Sequence, residues 1–212
     1  MFYAVKNGIN PGIYDNWADC KKNVDGFNNS KYKKFKSKDH ALKYIETTNI
    51  INKPNITDKQ IYHIFTDGSC INNGNDKAKG GIGIYFNEKI HDDISEKLDG
   101  IQTNNRAELT AIIKAYEIID SLDYVNSFYY IFTDSDYSIK CITEYCEIWE
   151  KNKWKKRGSE IKNLDLIQKL WKLYNNHENI IFEHVRSHTG KDDFKSKGNE
   201  RADFLANLVN RV

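Results

Sequence analysis

Residues 128–134 form the run Phe128-Tyr129-Tyr130-Ile131-Phe132-Thr133-Asp134. The run is almost continuously apolar and aromatic, which is typical of a strand that is covered on both faces of a sheet. A carboxylate follows directly at its end, where ligand sites in open α/β sheets tend to lie. The run therefore predicts a buried strand and makes Asp134 the first candidate site residue.

Three further carboxylates stand in short motifs of their own. They are Asp67 in I-F-T-D-G-S, Glu108 in T-N-N-R-A-E-L and Asp203 in N-E-R-A-D. A single T-D-G-S or T-D-S segment is often only a turn or a helix cap. Four carboxylates that converge repel one another unless they are protonated or bind a cation. If they bind a metal, an all-oxygen ligand set favours Mg²⁺ or Mn²⁺ over zinc.

The composition is that of a globular protein that can bury a core, with 39% hydrophobic residues among 212 and two prolines. The longest apolar runs fall far short of the roughly 20 residues that cross a bilayer, and the chain does not begin like a signal peptide. We expect a cytoplasmic protein, or a nuclear one in a eukaryote. Reduced, partly buried thiols are predicted because no C-x-x-C pair occurs among Cys20, Cys70, Cys141 and Cys146.

The residue pattern predicts two folded parts. Residues 1–46 form a small unit with helices at 17–24 and 38–46, a strand at 31–35, and Ala41, Leu42 and Ile45 on one helix face. Residues 47–59 are polar and aperiodic, which indicates a linker. Residues 60–212 form an α/β unit. Its predicted strands are 61–66, 81–86, 90–95, 128–133 and 179–185, and its predicted helices are 105–119, 136–149, 164–174 and 199–209.

Cations alternate with aromatic rings in two stretches of the chain. One is Lys31-Tyr32-Lys33-Lys34-Phe35-Lys36-Ser37-Lys38 and the other is Lys151-Asn152-Lys153-Trp154-Lys155-Lys156-Arg157. A cationic helix face is often simply solvated. Interleaved rings and charges nevertheless suit a polyanion that offers sugars or bases for packing.

Five motifs occur in the order T-D-G-S, T-N-N-R-A-E-L, T-D-S, V-x-x-H-T-G and N-E-R-A-D-x-L-A. In this order they resemble type 1 ribonuclease H over essentially all of residues 60–212. The resemblance implies a mixed five-stranded sheet flanked by helices. It also implies an endoribonuclease that uses two Mg²⁺ ions, or Mn²⁺ in their place, to hydrolyse the RNA strand of RNA–DNA hybrids, leaving 5′-phosphate and 3′-hydroxyl ends.

The same resemblance implies roles for individual residues. Asp67 would bridge both ions, Asp203 would hold the ion that activates the attacking water, and Glu108 and Asp134 would hold the ion at the leaving 3′-oxygen. His188 would assist protonation and product release. Relatives often have Gly where Ser187 precedes this histidine, and residues 191–197 are expected to lengthen the loop that follows. Glu108, Asn73 and Asn105 would recognise the 2′-hydroxyl that distinguishes RNA from DNA.

Contacts to the DNA strand are also implied. Trp154 and its basic neighbours resemble the family's handle, and Thr103, Asn104 and Asn163 resemble its phosphate pocket, although Ile101 stands where some relatives add an Arg. The first unit resembles the hybrid-binding domain that precedes many type 1 ribonucleases H. In that domain Trp17 and Tyr32 would stack on deoxyribose, Lys33 and Lys34 would contact phosphate, and Tyr3 would support the surface.

Two other functional classes remain open at this point. A non-catalytic protein that binds hybrids or double-stranded RNA is disfavoured by the intact carboxylates. A transposase- or resolvase-type DNA nuclease is disfavoured by the Trp154 handle and the N-terminal unit. We expect a monomer that binds an RNA–DNA hybrid duplex and no membrane.

Overall fold

The computed structural model describes residues 1–27, 30–49, 60–122, 127–156, 158–187 and 190–210, with backbone alone for 39, 43 and 46–49. The chain divides into two compact units, Met1–Asp58 and Lys59–Val212. No helix in these ranges is long and apolar enough to cross a membrane.

The first unit is a three-stranded antiparallel sheet with two helices. Its elements are β1 (Phe2–Asn7), β2 (Gly12–Tyr14), α1 (Trp17–Val24), β3 (Lys31–Phe35) and α2 (Lys38–Asn49), and the strand order is β2-β1-β3. Side chains alternate along β1, so Ala4 packs with Ala41 and Ile45 of α2 while Val5 packs with Cys20 of α1. Each helix therefore covers one face of the sheet.

Helix α2 differs from its prediction in two ways. It continues to Asn49, three residues past the expected end at residue 46. Ala41 and Ile45 are buried as expected, whereas Leu42 is 39% exposed, so its assignment to the apolar face was wrong. Residues 41 and 45 are four apart and share a face, whereas residue 42 lies about 100° around the helix from residue 41, at the edge of that face. Residues 50–59 of the predicted linker lie outside the described residues.

The second unit contains a mixed five-stranded sheet, as the resemblance implied. Its strands are β4 (Ile61–Ile71), β5 (Lys79–Phe86), β6 (Ile94–Lys97), β7 (Phe128–Thr133) and β8 (Ile180–His184). The order is β6-β5-β4-β7-β8. β4 pairs antiparallel with β5 and parallel with β7, and β7 pairs parallel with β8.

Helices pack on both faces of this sheet. They are α3 (Asn104–Ser121), α4 (Asp136–Lys140), a π-helical segment (Cys141–Tyr145), α5 (Cys146–Lys151), α6 (Leu164–Asn176) and α7 (Phe194–Leu208). A Cβ at Gly68 of β4 would lie 2.1 Å from the Glu108 nitrogen of α3, and one at Gly83 of β5 would lie 2.1 Å from the Ala202 oxygen of α7. Because Gly83 pairs with Asp67, the neighbour of Gly68, these two glycines face opposite sides.

Several predicted boundaries were wrong. β4 continues through Asp67 to Ile71, and the third strand starts at Ile94 rather than residue 90. α7 starts at Phe194, because Asp193 caps it by accepting a hydrogen bond from the Ser196 nitrogen at 3.0 Å. Residues 194–197 are thus the first turn of α7 and do not lengthen a loop. All four cysteines are free thiols, as predicted.

Candidate active site

Asp67 lies in the middle of the central strand β4, with neighbouring strands on both sides. Its side chain is only 6% exposed. Alternation along the strand turns Asp67 toward the α7 side, while the following Gly68 lets the backbone of α3 approach the sheet closely. This close approach brings Glu108 of α3 next to the strand that carries Asp67.

Glu108 and Asp134 complete a tight group with Asp67. α3 begins after Thr103, whose hydroxyl accepts a hydrogen bond from the Arg106 nitrogen at 3.4 Å, so Glu108 falls near the start of the helix. Asp134 directly follows β7, beside β4. One carboxylate oxygen from each of Asp67, Glu108 and Asp134 lies within 4.8 Å of the others.

Asp203 reaches the same place from α7. Two serine hydroxyls hold this helix against the sheet, Ser69 to the Ala206 oxygen at 2.8 Å and Ser95 to the Leu205 oxygen at 2.7 Å. Asp203 lines one open cleft of about 430 Å³ together with the other three carboxylates. The structure brings all four predicted carboxylates to this cleft, three of them within direct reach of a shared ion.

The cluster raises the proton affinity of its buried members. Burial, and then the charges of Asp134 and Asp203, raise the pKa of Asp67 to about 7. Burial also raises the pKa of Glu108 well above its usual value, with Asp67 and Asp134 as the next causes. Without a cation, the protein relieves this repulsion by retaining protons.

These residues fit a hard divalent cation. The converging donors are carboxylate oxygens, the ligand type that Mg²⁺ and Mn²⁺ prefer. Among the described residues no hydrogen-bond donor reaches the buried Oε2 of Glu108. A buried carboxylate oxygen without a partner is costly, and a cation in the cleft would satisfy it.

One contact at the site was not predicted from the sequence. Asn199 of α7 is 3% exposed, and its Nδ2 donates a hydrogen bond to Oδ2 of Asp134 at 3.1 Å. The amide orients the carboxylate at the end of β7. The only signal in the sequence was the position of Asn199 at the head of N-E-R-A-D, one helical turn before Asp203.

The predicted phosphate-pocket residues lie at the starts of two linked helices. Arg106 of α3 binds Asp165 of α6 through two hydrogen bonds, which joins the end of α3 that carries Thr103 and Asn104 to the end of α6 that follows Asn163. The left-handed backbone of Asn163 (φ 58°) is accompanied by a hydrogen bond from its Nδ2 to the Tyr137 hydroxyl at 3.2 Å.

The other predicted contacts of the second unit are less concentrated. Asn73 accepts a hydrogen bond from the Asn104 nitrogen at 3.3 Å, so its loop touches the start of α3, where Asn105 is exposed. Trp154 packs partly against the main core cluster, and Ile101 is 66% exposed. Ser187 lines the cleft, whereas His188 lies outside the described residues.

The first unit carries an aromatic row. The ring of Trp17 lies 5.5 Å from that of Tyr3 and 5.4 Å from that of Tyr32. The Nζ of Lys34 lies 5.7 Å from the centre of the Tyr3 ring. Trp17 and Tyr32 are 40% and 45% exposed. Lys33 points to the other sheet face, because it alternates with Tyr32 and Lys34 along β3.

Comparisons with known proteins match both units. The RNase H family model matches residues 59–210, and the model of the Ribonuclease H1 N-terminal domain matches residues 1–45. The ribonuclease H of Schizosaccharomyces pombe is 30% identical, over 97% of this chain and 95% of its own. A probable ribonuclease H of Acanthamoeba polyphaga mimivirus is 45% identical, over 64% of this chain and 60% of its own.

Solved structures agree in fold. LC9-RNase H1, described as a type 1 RNase H with the type 2 active-site motif, matches with a TM-score of 0.55 and 25% identity, over 74% of each chain. A foamy viral protease-reverse transcriptase in complex with RNA/DNA hybrid matches with a TM-score of 0.59 and 23% identity, over 74% of this chain and 21% of its own.

Proposed function

Because the chain belongs to the ribonuclease H family, and is therefore a nuclease, we propose that it is an endoribonuclease that hydrolyses the RNA strand of RNA–DNA hybrids. The observation that carries this proposal is the group of Asp67, Glu108 and Asp134, with ligand oxygens within 4.8 Å of one another in an open cleft. A cleft open to solvent admits a duplex, whereas a closed cavity would not.

We further propose that the cleft works with two Mg²⁺ ions, for which Mn²⁺ can substitute, and yields 5′-phosphate and 3′-hydroxyl ends. Asp67 would contact both ions, Asp203 one of them, and Glu108 with Asp134 the other. When bound, such ions supply positive charge to the scissile phosphate and lower the pKa of water. The partnerless Glu108 oxygen and the raised pKa of Asp67 support the presence of a cation in the cleft.

The protein's own side chains would orient the metal ligands and distinguish RNA from DNA. Asn199 holds Asp134 by a hydrogen bond at 3.1 Å, so this ligand is oriented before substrate arrives. His188 would assist proton transfer and product release. Glu108, Asn73 and Asn105 would recognise the 2′-hydroxyl of RNA, and the contact of the Asn73 loop with α3 supports a shared surface for these three residues.

The DNA strand would be recognised through its backbone. Thr103, Asn104 and Asn163 would bind a phosphate, and Trp154 with its lysines would pack against deoxyribose. In the first unit Trp17 and Tyr32 would stack on sugars beside Lys34, with Tyr3 as support, and Lys33 would contact phosphate from the other face of the same strand. The exposure of both rings supports this role, because a stacking platform must be accessible.

One substrate panel tests the function. The protein is incubated in Mg²⁺ with RNA–DNA, RNA–RNA and DNA–DNA duplexes of one sequence, and the products are sized and end-labelled. We expect internal cuts in the RNA of the hybrid alone. Binding of the hybrid without cleavage would favour a non-catalytic binding protein, and cleavage of DNA–DNA would favour a DNA nuclease.

A further inference from the structure

Helix α7 carries one asparagine side chain four residues before Asp203 and another four residues after it. Asn199, Asp203 and Asn207 are spaced four residues apart, which aligns their side chains along one face of the helix. Asn199 binds the carboxylate of another element, Asp134. Asn207 lines the cleft and lies one turn beyond Asp203 on the same face.

Asn207 directs its side-chain amide at Asp203 through two contacts. Its Nδ2 donates to Oδ1 of Asp203 at 3.0 Å and to the Asp203 backbone oxygen at 2.9 Å. An amide nitrogen carries two hydrogens, so both are directed at this one residue. The contact therefore engages Oδ1 of Asp203 and leaves Oδ2 without a bond to Asn207.

Asp203 needs such a partner more than Asp67 and Glu108 do. Asp67 and Glu108 are each 6% exposed and are held by packing, whereas Asp203 is only partly buried. A partly exposed side chain occupies several rotamers, and ordering it when a ligand binds costs conformational entropy. A hydrogen bond that selects one rotamer beforehand reduces this cost, as outer-shell partners do for metal ligands in general.

We infer that Asn207 is a positioning residue that holds the Asp203 carboxylate in the orientation in which one oxygen faces a divalent cation in the cleft. This inference rests on the proposed function, which gives Asp203 its ion. Asn207 acts through Asp203 and transfers no proton itself. A neutral amide suits the task because a cationic side chain at this position would neutralise Asp203 and compete with the ion.

A purely structural role for Asn207 makes a different prediction. The bond to the Asp203 backbone oxygen alone would be a local contact within the last turns of α7, of the kind that asparagine side chains make with nearby backbone groups. Loss of that bond would change the stability of the helix but not the affinity for a cation. The bond to Oδ1 is what links Asn207 to the site.

The test uses full-length Asn207→Ala and Asn207→Leu, with Ser95→Ala as the matched control. Ala is the better helix former and Leu keeps the volume, so the pair separates loss of the donor from loss of packing. Ser95→Ala removes a hydrogen bond to the backbone of the same helix, at Leu205, without touching a carboxylate. Mn²⁺ binding is measured by calorimetry without substrate, and hybrid cleavage is measured against Mg²⁺ concentration.

We expect both Asn207 variants to bind Mn²⁺ about 10-fold more weakly and to need correspondingly more Mg²⁺ for half-maximal cleavage, with unchanged KM for the hybrid. Ser95→Ala should stay within about twofold of wild type in both assays, because it leaves the Asp203 contact intact. Unchanged Mn²⁺ affinity in folded Asn207→Ala and Asn207→Leu, or a wild type that binds no Mn²⁺, would overturn the inference. If wild type binds Mn²⁺ but cleaves no hybrid, the proposed function fails while the calorimetric comparison still decides the role of Asn207.

Discussion

Arg106 and Asp165 form a two-pronged ion pair between the starts of α3 and α6. The Nη1 of Arg106 lies 2.8 Å from Oδ1 of Asp165, and the Nη2 lies 2.6 Å from Oδ2. The Arg106 side chain is 14% exposed, so the pair fixes a largely buried cation as well as two helix ends. Paired geometry of this kind is directional and resists sliding of one helix along the other.

Asp165→Asn should lower both the stability of the fold and the affinity for the DNA strand of a hybrid. The substitution leaves the mostly buried guanidinium of Arg106 without its charged partner. We therefore expect the free energy of unfolding to fall by about 1 kcal/mol. Hybrid affinity should fall severalfold because the start of α6, which follows Asn163, loses its link to the start of α3, which carries Thr103 and Asn104. Urea denaturation and hybrid binding in Ca²⁺ measure the two effects.

The matched control is Glu117→Gln, which breaks another α3–α6 ion pair, with Lys169. It should leave hybrid affinity unchanged, since neither residue lies at the helix starts. Equal affinity losses in both variants would contradict the positional argument. The hydrogen bond from Arg106 lowers the pKa of Asp165, so its stabilisation is present at neutral pH and is lost as the pH falls below about 4.

The metal-free protein should lose stability as the pH rises from about 4 to 7. The pKa of Asp67 is raised to about 7 by burial and by Asp134 and Asp203, whereas an unfolded aspartate has a pKa of about 3.9. Between these values the folded state holds the extra proton, so its advantage disappears as the pH rises through the folded pKa. The effect should be on the order of 4 kcal/mol, because the two pKa values differ by about three units and each unit corresponds to about 1.4 kcal/mol.

Asp67→Asn provides the reference for this prediction, because the amide keeps the shape of the side chain and cannot titrate. Unfolding of both proteins is followed by thermal melts in EDTA between pH 4 and pH 8. Wild type should lose stability relative to the variant across this range, and Mg²⁺ should restore it. Parallel profiles for the two proteins in EDTA would contradict the prediction.

Asp134→Asn should preserve the fold and hybrid binding but reduce cleavage by about 100-fold or more, because the amide removes the charge that holds an ion. The carbonyl of the new side chain can still accept the hydrogen bond from Asn199. Ca²⁺ should likewise support binding without turnover, since its larger, more flexible coordination suits the two-ion geometry poorly. Asp136→Asn, two residues away and paired with Lys140, is the control. Cleavage within tenfold of wild type for Asp134→Asn would falsify the metal role.

His188→Ala should slow turnover without affecting metal binding. General acid–base or release assistance contributes about 10²–10⁴-fold at most, so the loss should be smaller than that for Asp67→Asn. Single-turnover and steady-state rates on one hybrid separate chemistry from release. An unchanged rate in both assays would reduce His188 to an ordinary loop residue.

The first unit should act as a tethered clamp on long hybrids. In full-length protein, replacing Lys33 and Lys34 by Ala removes two phosphate contacts, so the slope of log affinity against log salt should become less steep by roughly 1.8. Trp17→Ala should weaken binding without this change in slope, because stacking on a sugar releases few ions. Each variant is titrated with long and short hybrids at several salt concentrations.

Lys21→Ala with Lys22→Ala is the matched control for the clamp. These lysines lie in α1 of the same unit; Lys22 pairs with Asp19 of that helix and Lys21 pairs with Asp25, the residue that follows it. Replacing Lys21 and Lys22 changes the net charge by the same amount as replacing Lys33 and Lys34. It should nevertheless leave the slope of log affinity against log salt nearly unchanged. Equal slopes for the two lysine pairs would reduce the clamp to general electrostatic attraction, and equal affinities for long and short hybrids would end the idea.

The local elements of the fold followed from the sequence where the residue pattern was strong. The run 128–133 is the strand β7 with the predicted bounds, and Leu109, Ile112, Ile113, Tyr116 and Ile119 are all buried on α3 as their spacing predicted. The pattern was weaker around Asp67, where small and polar residues continue β4 beyond the apolar run. The pattern also missed the start of α7. That start is set by the side-chain cap of Asp193, and the spacing of apolar residues does not reveal such a cap.

By itself the sequence determined which carboxylates were candidates and which elements carry them, because periodicity and residue type encode local structure and its buried face. Only the tertiary structure decided that Asn199 orients Asp134, a partner 65 positions away, and that Asp203 and Asn207 line the same cleft as the other carboxylates. Such contacts depend on how closely elements pack, as at Gly68 and Gly83, where the absence of a side chain lets two helices approach the sheet. A hydrogen bond requires its atoms within about 3 Å, and packing between distant segments sets that distance.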